Sequence, residues 1–211
     1  MSVATLRVDA ARPATGGRAW DLAIAGLIAL AGVGFNLARL QLRLDEGPLS
    51  ASLVAFAAFG AGALALAFSR GLHRPDLGLT APLPGPALVG GGLAAASLLG
   101  AAFLTAPVLH IPALPQVARG ILLFGFFTAP AEELMFRGVM FRLVERHAGA
   151  SAAIITTSAA FAVAHVPVYG WLSLPLSLVA GFLLGWLRWW SRSLIPAVAV
   201  HALADLGLLW L

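Results

Sequence analysis

Six ionisable side chains lie inside stretches of this 211-residue chain that are otherwise hydrophobic. They are Glu132, Glu133, Arg137, His165, His201 and Asp205. A charge near the centre of a lipid bilayer costs at least about 2.5–3.5 kcal/mol, so such residues usually face a polar interior and mark function. Carboxylates and imidazoles are also the groups that activate water and transfer protons in hydrolysis. The six residues therefore indicate a hydrolytic site within a membrane.

The first group combines two acids and a base on one predicted helix. Glu133 and Arg137 are four residues apart with the acid first, so they share a helix face in the favourable order. Arg137 is expected to neutralise Glu133, whereas Glu132 points about 100° away and is less well placed for that partner. Glu132 is thus the candidate general base, with Glu133 and Arg137 as a supporting network. The alternative is that all three form a buried structural network.

The histidines lie on later helices. Gly149 marks a turn, with Glu132 17 residues before it and His165 16 residues after it. An antiparallel helical hairpin would bring these two side chains to the same depth, to within about 1.5 Å. His201 and Asp205 are four apart on the last helix and share a face. The alternatives are a hydrogen-bonded core histidine at 165 and a helix-stabilising pair at 201 and 205.

Two chemistries fit this set. Glu132, His165 and His201 can bind a divalent metal such as zinc, which activates water. Alternatively, no cofactor is needed: Glu132 and His165 hold and deprotonate water, while His201 and Asp205 stabilise the oxyanion. The chain lacks a His-Glu-x-x-His motif, which weakens the metal scheme without excluding it, because ligands can come from separate helices.

The elements that must position these residues are membrane helices. The chain is 60% hydrophobic and 10% charged, unlike a soluble domain. Apolar runs of about 20 residues predict an all-α polytopic transmembrane bundle of about seven helices, with a kink at Pro130 and an end to the fifth helix at Pro167. The predicted helices are 19–40, 49–69, 87–109, 116–147, 151–166, 171–190 and 193–211. This division predicts three parts of the chain: a polar N-terminus (1–18), N-terminal transmembrane helices (19–109) and a catalytic core (116–211).

Arginine distribution predicts the orientation of the bundle in a cell membrane. With the N-terminus in the cytoplasm, nine arginines fall on the cytoplasmic side and Arg39, Arg43 and Arg119 on the other. These arginines lie at segment ends rather than in a patch interleaved with aromatic residues, so no nucleic-acid partner is expected. The chain has no cysteine, which excludes disulfides and thiolate catalysis.

The order of three motifs resembles a known family. The motifs resemble those of the CAAX-processing and bacteriocin-immunity intramembrane protease family. In chain order they are Glu132, Glu133 and Arg137, then Phe161 with His165, then His201 with Asp205. The resemblance covers about residues 116–211, and weakly the loop around Asp76. Eukaryotic members of the family trim prenylated proteins after the prenyl cysteine.

The resemblance implies a role for each site residue. Glu132 would be the water-activating base and His165 would help to hold the water, with Glu133 and Arg137 in support. His201 and residue 205 would stabilise the oxyanion. The family often has asparagine at that last position, and an anionic aspartate is a poor oxyanion donor. Asp205 is therefore protonated, or orients His201, or lies at a metal site.

The predicted function is an intramembrane endopeptidase that acts on a membrane-associated peptide or protein. One alternative is a non-catalytic membrane adaptor or bacteriocin self-immunity protein of the same fold. Another is an ion-coupled transporter, in which intramembrane acids and histidines relay protons. The sequence contains no inverted repeat, which disfavours the transporter.

Overall fold

The bundle is helical throughout the part of the chain that the structure describes. This computed structural model describes residues 17–44, 49–79, 85, 89–97, 100 and 128–207, and these contain no strand. The elements are α1 (Arg18–Gln41), α2 (Leu49–Ser69), a π-helix (Leu134–Met140), α3 (Phe141–Tyr169), a 3₁₀ turn (Trp171–Ser173), α4 (Leu174–Ser191) and α5 (Ile195–Gly207). Residues 128–133 are also helical and run directly into the π-helix. The all-α prediction is confirmed.

Four helical stretches are long and apolar enough to cross a membrane: Arg18–Gln41, Ala51–Ser69, Thr128–Tyr169 and Trp171–Ser191. Helix α5 contains a shorter apolar run. The predicted third helix, 87–109, lies largely outside the described residues, as does the start of the fourth. A count of seven helices therefore stays a prediction, while a multi-span bundle agrees with the sequence.

The longest stretch is a hairpin of two arms that meet at Gly149. Gly149 has φ 83° and ψ 171° inside α3. This left-handed conformation strains any residue with a Cβ, so glycine is required for the chain to reverse here. The turn predicted near Gly149 is confirmed. The predicted end at Pro167 is wrong, because α3 continues to Tyr169 with Pro167 inside it. The following Gly170, with φ 77°, ends the helix instead.

Polar contacts tie the helices together near the Gly149 turn. Asp21, near the start of α1, is fully buried and contacts Arg146 and His147, with His147 Nε2 at 2.6 Å. The end of α2 joins this cluster, because Nε of Arg70 donates to Asp21 at 3.0 Å. A buried carboxylate surrounded by these bases fixes α1 and α2 against the hairpin.

The loop after α2 closes the same end of the bundle. Asp76 accepts a hydrogen bond from Arg142 at 3.1 Å, and its carbonyl oxygen accepts one from Arg188 at 2.8 Å. The backbone N–H of Leu194 donates to Gly78 at 2.9 Å, so the loop also meets the connection into α5. We call this the arginine-rich end, defined by Arg70, Arg74, Arg142, Arg146, Arg188 and Arg192.

Helix α4 packs so closely on α3 that one position admits only glycine. A Cβ at Gly181 would lie 2.9 Å from the Cα of Ser158, whereas one at Gly185 would lie 3.4 Å from the nearest atom of Ile154. We expect Gly181→Ala to lower the free energy of unfolding by about 1–3 kcal/mol, because the two backbones must separate. Gly185→Ala is the matched control and should unfold like the wild type. Thermal unfolding in detergent measures both, and equal stability of the two variants would contradict the close packing.

Candidate active site

A buried ion pair lies at the base of the site, with Glu133 directly before the π-helix and Arg137 within it. Arg137 and Glu133 are both fully buried (0% exposed). Nη1 of Arg137 donates to Oε1 of Glu133 at 2.7 Å, and its Nη2 donates to the carbonyl oxygen of Gly181 on α4 at 3.2 Å. The guanidinium also lies 4.2 Å from the ring centroid of Phe161 on α3, in cation–π geometry. The predicted pairing of Glu133 with Arg137 is confirmed.

Glu133 has a second partner that the sequence did not reveal. Nδ1 of His201 lies 2.9 Å from Oε1 of Glu133, in the range of a hydrogen bond. This contact joins α5 to the helix that carries both glutamates. Arg137 holds the carboxylate of Glu133 in place, and this carboxylate in turn orients the imidazole of His201.

Glu132 faces both histidines. Its Oε2 lies 3.6 Å from Nε2 of His165 and 3.8 Å from Nε2 of His201. The depth match between Glu132 and His165 that the Gly149 turn predicted is therefore confirmed. Oε2 of Glu132 is buried and has no hydrogen-bond partner among the described residues. Three helical segments thus direct three polar atoms at one small volume.

The contacts of the two Nδ1 atoms determine whether the Nε2 atoms of His165 and His201 can donate or accept a hydrogen bond. Nδ1 of His165 lies 2.8 Å from the carbonyl oxygen of Phe161, and a carbonyl can only accept. Nδ1 of His201 faces the carboxylate of Glu133, which likewise only accepts. Both Nδ1 atoms therefore carry hydrogen, and in a neutral ring each Nε2 presents a lone pair toward Glu132. The site is a cluster of three converging acceptors, suited to a cation, to protons or to a polarised water.

Asp205 completes the cluster from the more open side. Its Oδ1 lies 3.7 Å from Nε2 of His201, and its side chain is 31% exposed against 8% for His201. The shared face predicted for His201 and Asp205 is confirmed. Asp205 faces Nε2 of His201, whereas Glu133 faces Nδ1 on the other side of the ring. Two acceptors in this position suit a proton, another cation or a water molecule that donates to both.

The residues fit a divalent metal in number, chemistry and spacing. Glu132, His165 and His201 each offer one ligand atom, and these atoms lie within 4.8 Å of one another. Tetrahedral zinc with bonds of about 2.0–2.2 Å needs ligand atoms about 3.4 Å apart, slightly closer than the two distances measured from Glu132. The carbonyl on His165 Nδ1 and the carboxylate on His201 Nδ1 are the outer partners that metal-binding histidines usually have.

Helix α1 supports the site through a residue that the sequence analysis did not select. Asn36 is buried, and its Nδ2 donates to the carbonyl oxygen of Ala164, next to His165, at 2.9 Å. Arg39 donates to Asn36 at 2.8 Å from the next turn of the same helix. Tyr169 stacks on the ring of His165 with centroids 5.9 Å apart. The sequence signal for this role is that Asn36 is a polar residue within an apolar run.

This arrangement defines a class of protein: a multi-pass helical membrane protein with a buried carboxylate–imidazole centre. Residues 114–207 match the family model for type II CAAX prenyl endopeptidase Rce1-like proteins. This part of the chain is therefore a domain of the CAAX protease family, and the resemblance based on the three motifs is confirmed. No curated protein and no solved structure matches the chain.

Proposed function

We propose that this protein is an intramembrane endopeptidase in which Glu132 activates a water molecule to hydrolyse a peptide bond of a membrane-associated substrate. The observation that supports this most directly is that Oε2 of Glu132 is buried, has no hydrogen-bond partner in the described part of the chain and faces Nε2 of His165 and of His201. Glu133, by contrast, is neutralised through its Oε1 by Arg137 at 2.7 Å, whereas Oε2 of Glu132 faces two imidazole nitrogens. A family of membrane endopeptidases supplies the reaction class.

In the proposed reaction, a water molecule occupies the space between Glu132 and His165. It donates one hydrogen bond to each, and Oε2 of Glu132 removes a proton as the water oxygen attacks the carbonyl carbon. The same proton then passes from Glu132 to the nitrogen of the scissile bond. The C–N bond breaks, giving a carboxylic acid and an amine, and Glu132 returns to its ionised state; the acid then loses its proton to the amine, giving a carboxylate and an ammonium ion.

The oxyanion formed by this attack needs donors on the other side of the carbonyl. Nε2 of His201 and Oδ1 of Asp205 lie 3.7 Å apart, and in this proposal one of them carries a proton and donates it to the oxyanion. Glu133 holds His201 with Nε2 toward the reaction, and Arg137 holds Glu133. This division gives every one of the six ionisable residues a role.

A divalent metal at Glu132, His165 and His201 would supply Lewis-acid activation of the water instead of base catalysis alone. Metal analysis of purified protein, together with activity after chelation, separates the two schemes. One equivalent of zinc that disappears in His201→Ala, with activity lost on chelation, would favour the metal. Metal-free protein that stays active with chelator would favour the direct scheme.

The proposal is tested by proteolysis in reconstituted liposomes. Wild type and Glu132→Gln are compared on a library of membrane peptides that includes prenylated CAAX peptides, with cut sites read by mass spectrometry. Cleavage by the wild type alone is the expected result. Equal cleavage by both proteins would refute the role of Glu132, and biological activity that survives in Glu132→Gln would favour the adaptor or immunity protein.

The two variants of Asp205 test the shared donor. We expect Asp205→Asn to keep cleavage within about tenfold of the wild type, because the amide supplies an N–H donor at the same position. Asp205→Ala should lose about 100-fold, as expected when one oxyanion donor is removed. The turnover number in the liposome assay measures both. Equal losses in Asp205→Asn and Asp205→Ala would show that the carboxylate itself, not a donor, is needed at this position.

A further inference from the structure

The turn of α3 that carries His165 is weakened by a proline. Pro167 lies inside α3 and has no N–H to donate to the carbonyl oxygen of Val163, four residues earlier. Its ring also crowds that carbonyl group. His165 lies between these two residues, and its Nδ1 is bonded to the carbonyl oxygen of Phe161 one turn earlier. The position of the imidazole therefore depends on a helical turn that lacks one of its internal hydrogen bonds.

Helix α1 supports this turn at the neighbouring carbonyl group. Asn36 is 3% exposed, and its Nδ2 donates to the carbonyl oxygen of Ala164 at 2.9 Å. Nη1 of Arg39 donates to Oδ1 of Asn36 at 2.8 Å, and this contact holds the amide with its N–H groups toward Ala164. Asparagine side chains form such hydrogen bonds between membrane helices. The pair of contacts thus fixes α1 to the residue that precedes His165.

The same helix contacts both arms of the hairpin at this level. One turn earlier on α1, a Cβ at Gly32 would lie 2.8 Å from Cζ of Phe136 and 3.2 Å from Cβ of Ala164. Phe136 lies one turn after Glu132 on the first arm, whereas Ala164 precedes His165 on the second. Closely packed groups transmit a displacement to each other. Helix α1 therefore braces the two arms, whose facing Oε2 and Nε2 atoms are 3.6 Å apart.

We propose that Asn36 is a positioning residue of the proposed reaction. Its hydrogen bond to Ala164 compensates for the one that Pro167 removes. The imidazole of His165 is thereby kept at the distance from Glu132 that the attacking water requires. A displacement of about 1 Å at a reacting group can cost about 100-fold in rate. This inference rests on the proposed function in taking these two side chains as the groups that bind the water, but the bracing itself is a property of the folded chain.

Two substitutions at one position separate this role from a general contribution to stability. Asn36→Asp keeps an acceptor for Arg39 but has no N–H for Ala164, and Asn36→Leu loses both contacts. Ser52→Ala is the matched control, because Ser52 is also 3% exposed and donates to a backbone carbonyl oxygen, that of Leu44, at 2.7 Å. Each variant is compared with the wild type by cleavage kinetics in liposomes and by hydrogen–deuterium exchange in detergent.

We expect both Asn36 variants to lower the turnover number by about 10- to 100-fold with KM unchanged, because the reacting groups are displaced while substrate binding is not. Amide exchange should become faster in residues 161–169 and stay at the wild-type rate in residues 128–148, the first arm. Ser52→Ala should match the wild type in both measurements. An unchanged turnover number, or unchanged exchange in residues 161–169, would overturn the proposal. Faster exchange throughout the bundle would also overturn it, because it would show a purely structural hydrogen bond.

The exchange measurement keeps this inference separate from the proposed function. If the wild type cleaves nothing, or Glu132→Gln cleaves as well as the wild type, the proposed function fails. Faster exchange confined to residues 161–169 would then still support the bracing by Asn36, and unchanged exchange would still refute it. If neither Asn36 variant folds, Arg39→Gln takes their place, because it keeps the amide but removes the contact that orients it. It should give a smaller loss of turnover and the same local rise in exchange, and the absence of both effects would overturn the proposal.

Discussion

Replacing Glu132 with glutamine is expected to lower the rate of peptide cleavage by at least about 100-fold, the scale of a lost general base. Glutamine keeps the shape of the side chain but cannot take a proton from water. The loss should appear in the turnover number rather than in KM, because Glu132 interacts with the reacting water and not with the rest of the substrate. Single-turnover cleavage in liposomes measures the step itself.

The matched control is the same substitution at the other end of the bundle. Glu145 lies at the arginine-rich end, where its carboxylate is 3.1 Å from Arg142 and 3.6 Å from Arg192. Glu145→Gln should leave the cleavage rate unchanged. The thermal midpoint of Glu132→Gln should also match that of the wild type, because Oε2 of Glu132 has no partner among the described residues to lose. A Glu132→Gln protein with normal turnover would eliminate the proposed mechanism.

The proximity of Glu132 and His165 could be predicted from the sequence because the relative depth of two residues on a helical hairpin depends only on the position of the turn. Once Gly149 is identified as the turn, equal spacing on the two arms sets the depth of each residue. Glu133 and Arg137, and His201 and Asp205, follow in the same way from the four-residue repeat of a helix. These contacts are local or are related by a single reversal of the chain.

The contact between Glu133 and His201 could not be predicted because it depends on how α5 is rotated and placed against the hairpin. The sequence alone does not indicate how two helices that are so far apart in the chain are aligned with each other. In the structure Glu133 contacts Nδ1 of His201, while Asp205 lies near its Nε2. For the same reason the contacts of Asp21 could not be predicted, because its partners lie just after α2 and at the hairpin turn.

Helix ends were predicted less well than contacts within helices. Proline at 167 lacks the N–H that would bond to Val163, and this suggested an end to the helix. In the structure the helix continues for two residues, and Gly170 ends it with a positive φ. Tyr169 is thereby kept on the same helix as His165 and stacks on its ring. The extension of the helix beyond residue 166 thus brings Tyr169 to the site.

The buried pair beneath the site carries the second large expected effect. Arg137→Met should lower the free energy of unfolding by about 3–5 kcal/mol, because it leaves the fully buried carboxylate of Glu133 without its countercharge. Arg142→Met is the control: its guanidinium is 21% exposed and bonds Asp76, so its loss should cost no more than about 1 kcal/mol. Denaturant unfolding in detergent micelles measures both variants.

A double variant separates charge neutralisation from simple packing. Glu133→Gln combined with Arg137→Met removes both charges while keeping an acceptor for Nδ1 of His201, so it should recover most of the stability that Arg137→Met loses. A double variant no more stable than Arg137→Met would mean that Arg137 acts through its contacts with Phe161 and Gly181 instead. Cleavage should stay below the wild-type rate even where stability returns, because a neutral amide orients His201 less strongly than a carboxylate fixed by arginine. The double variant would then be nearly as stable as the wild type but slower in cleavage. This is expected if Glu133 positions His201 in addition to neutralising Arg137.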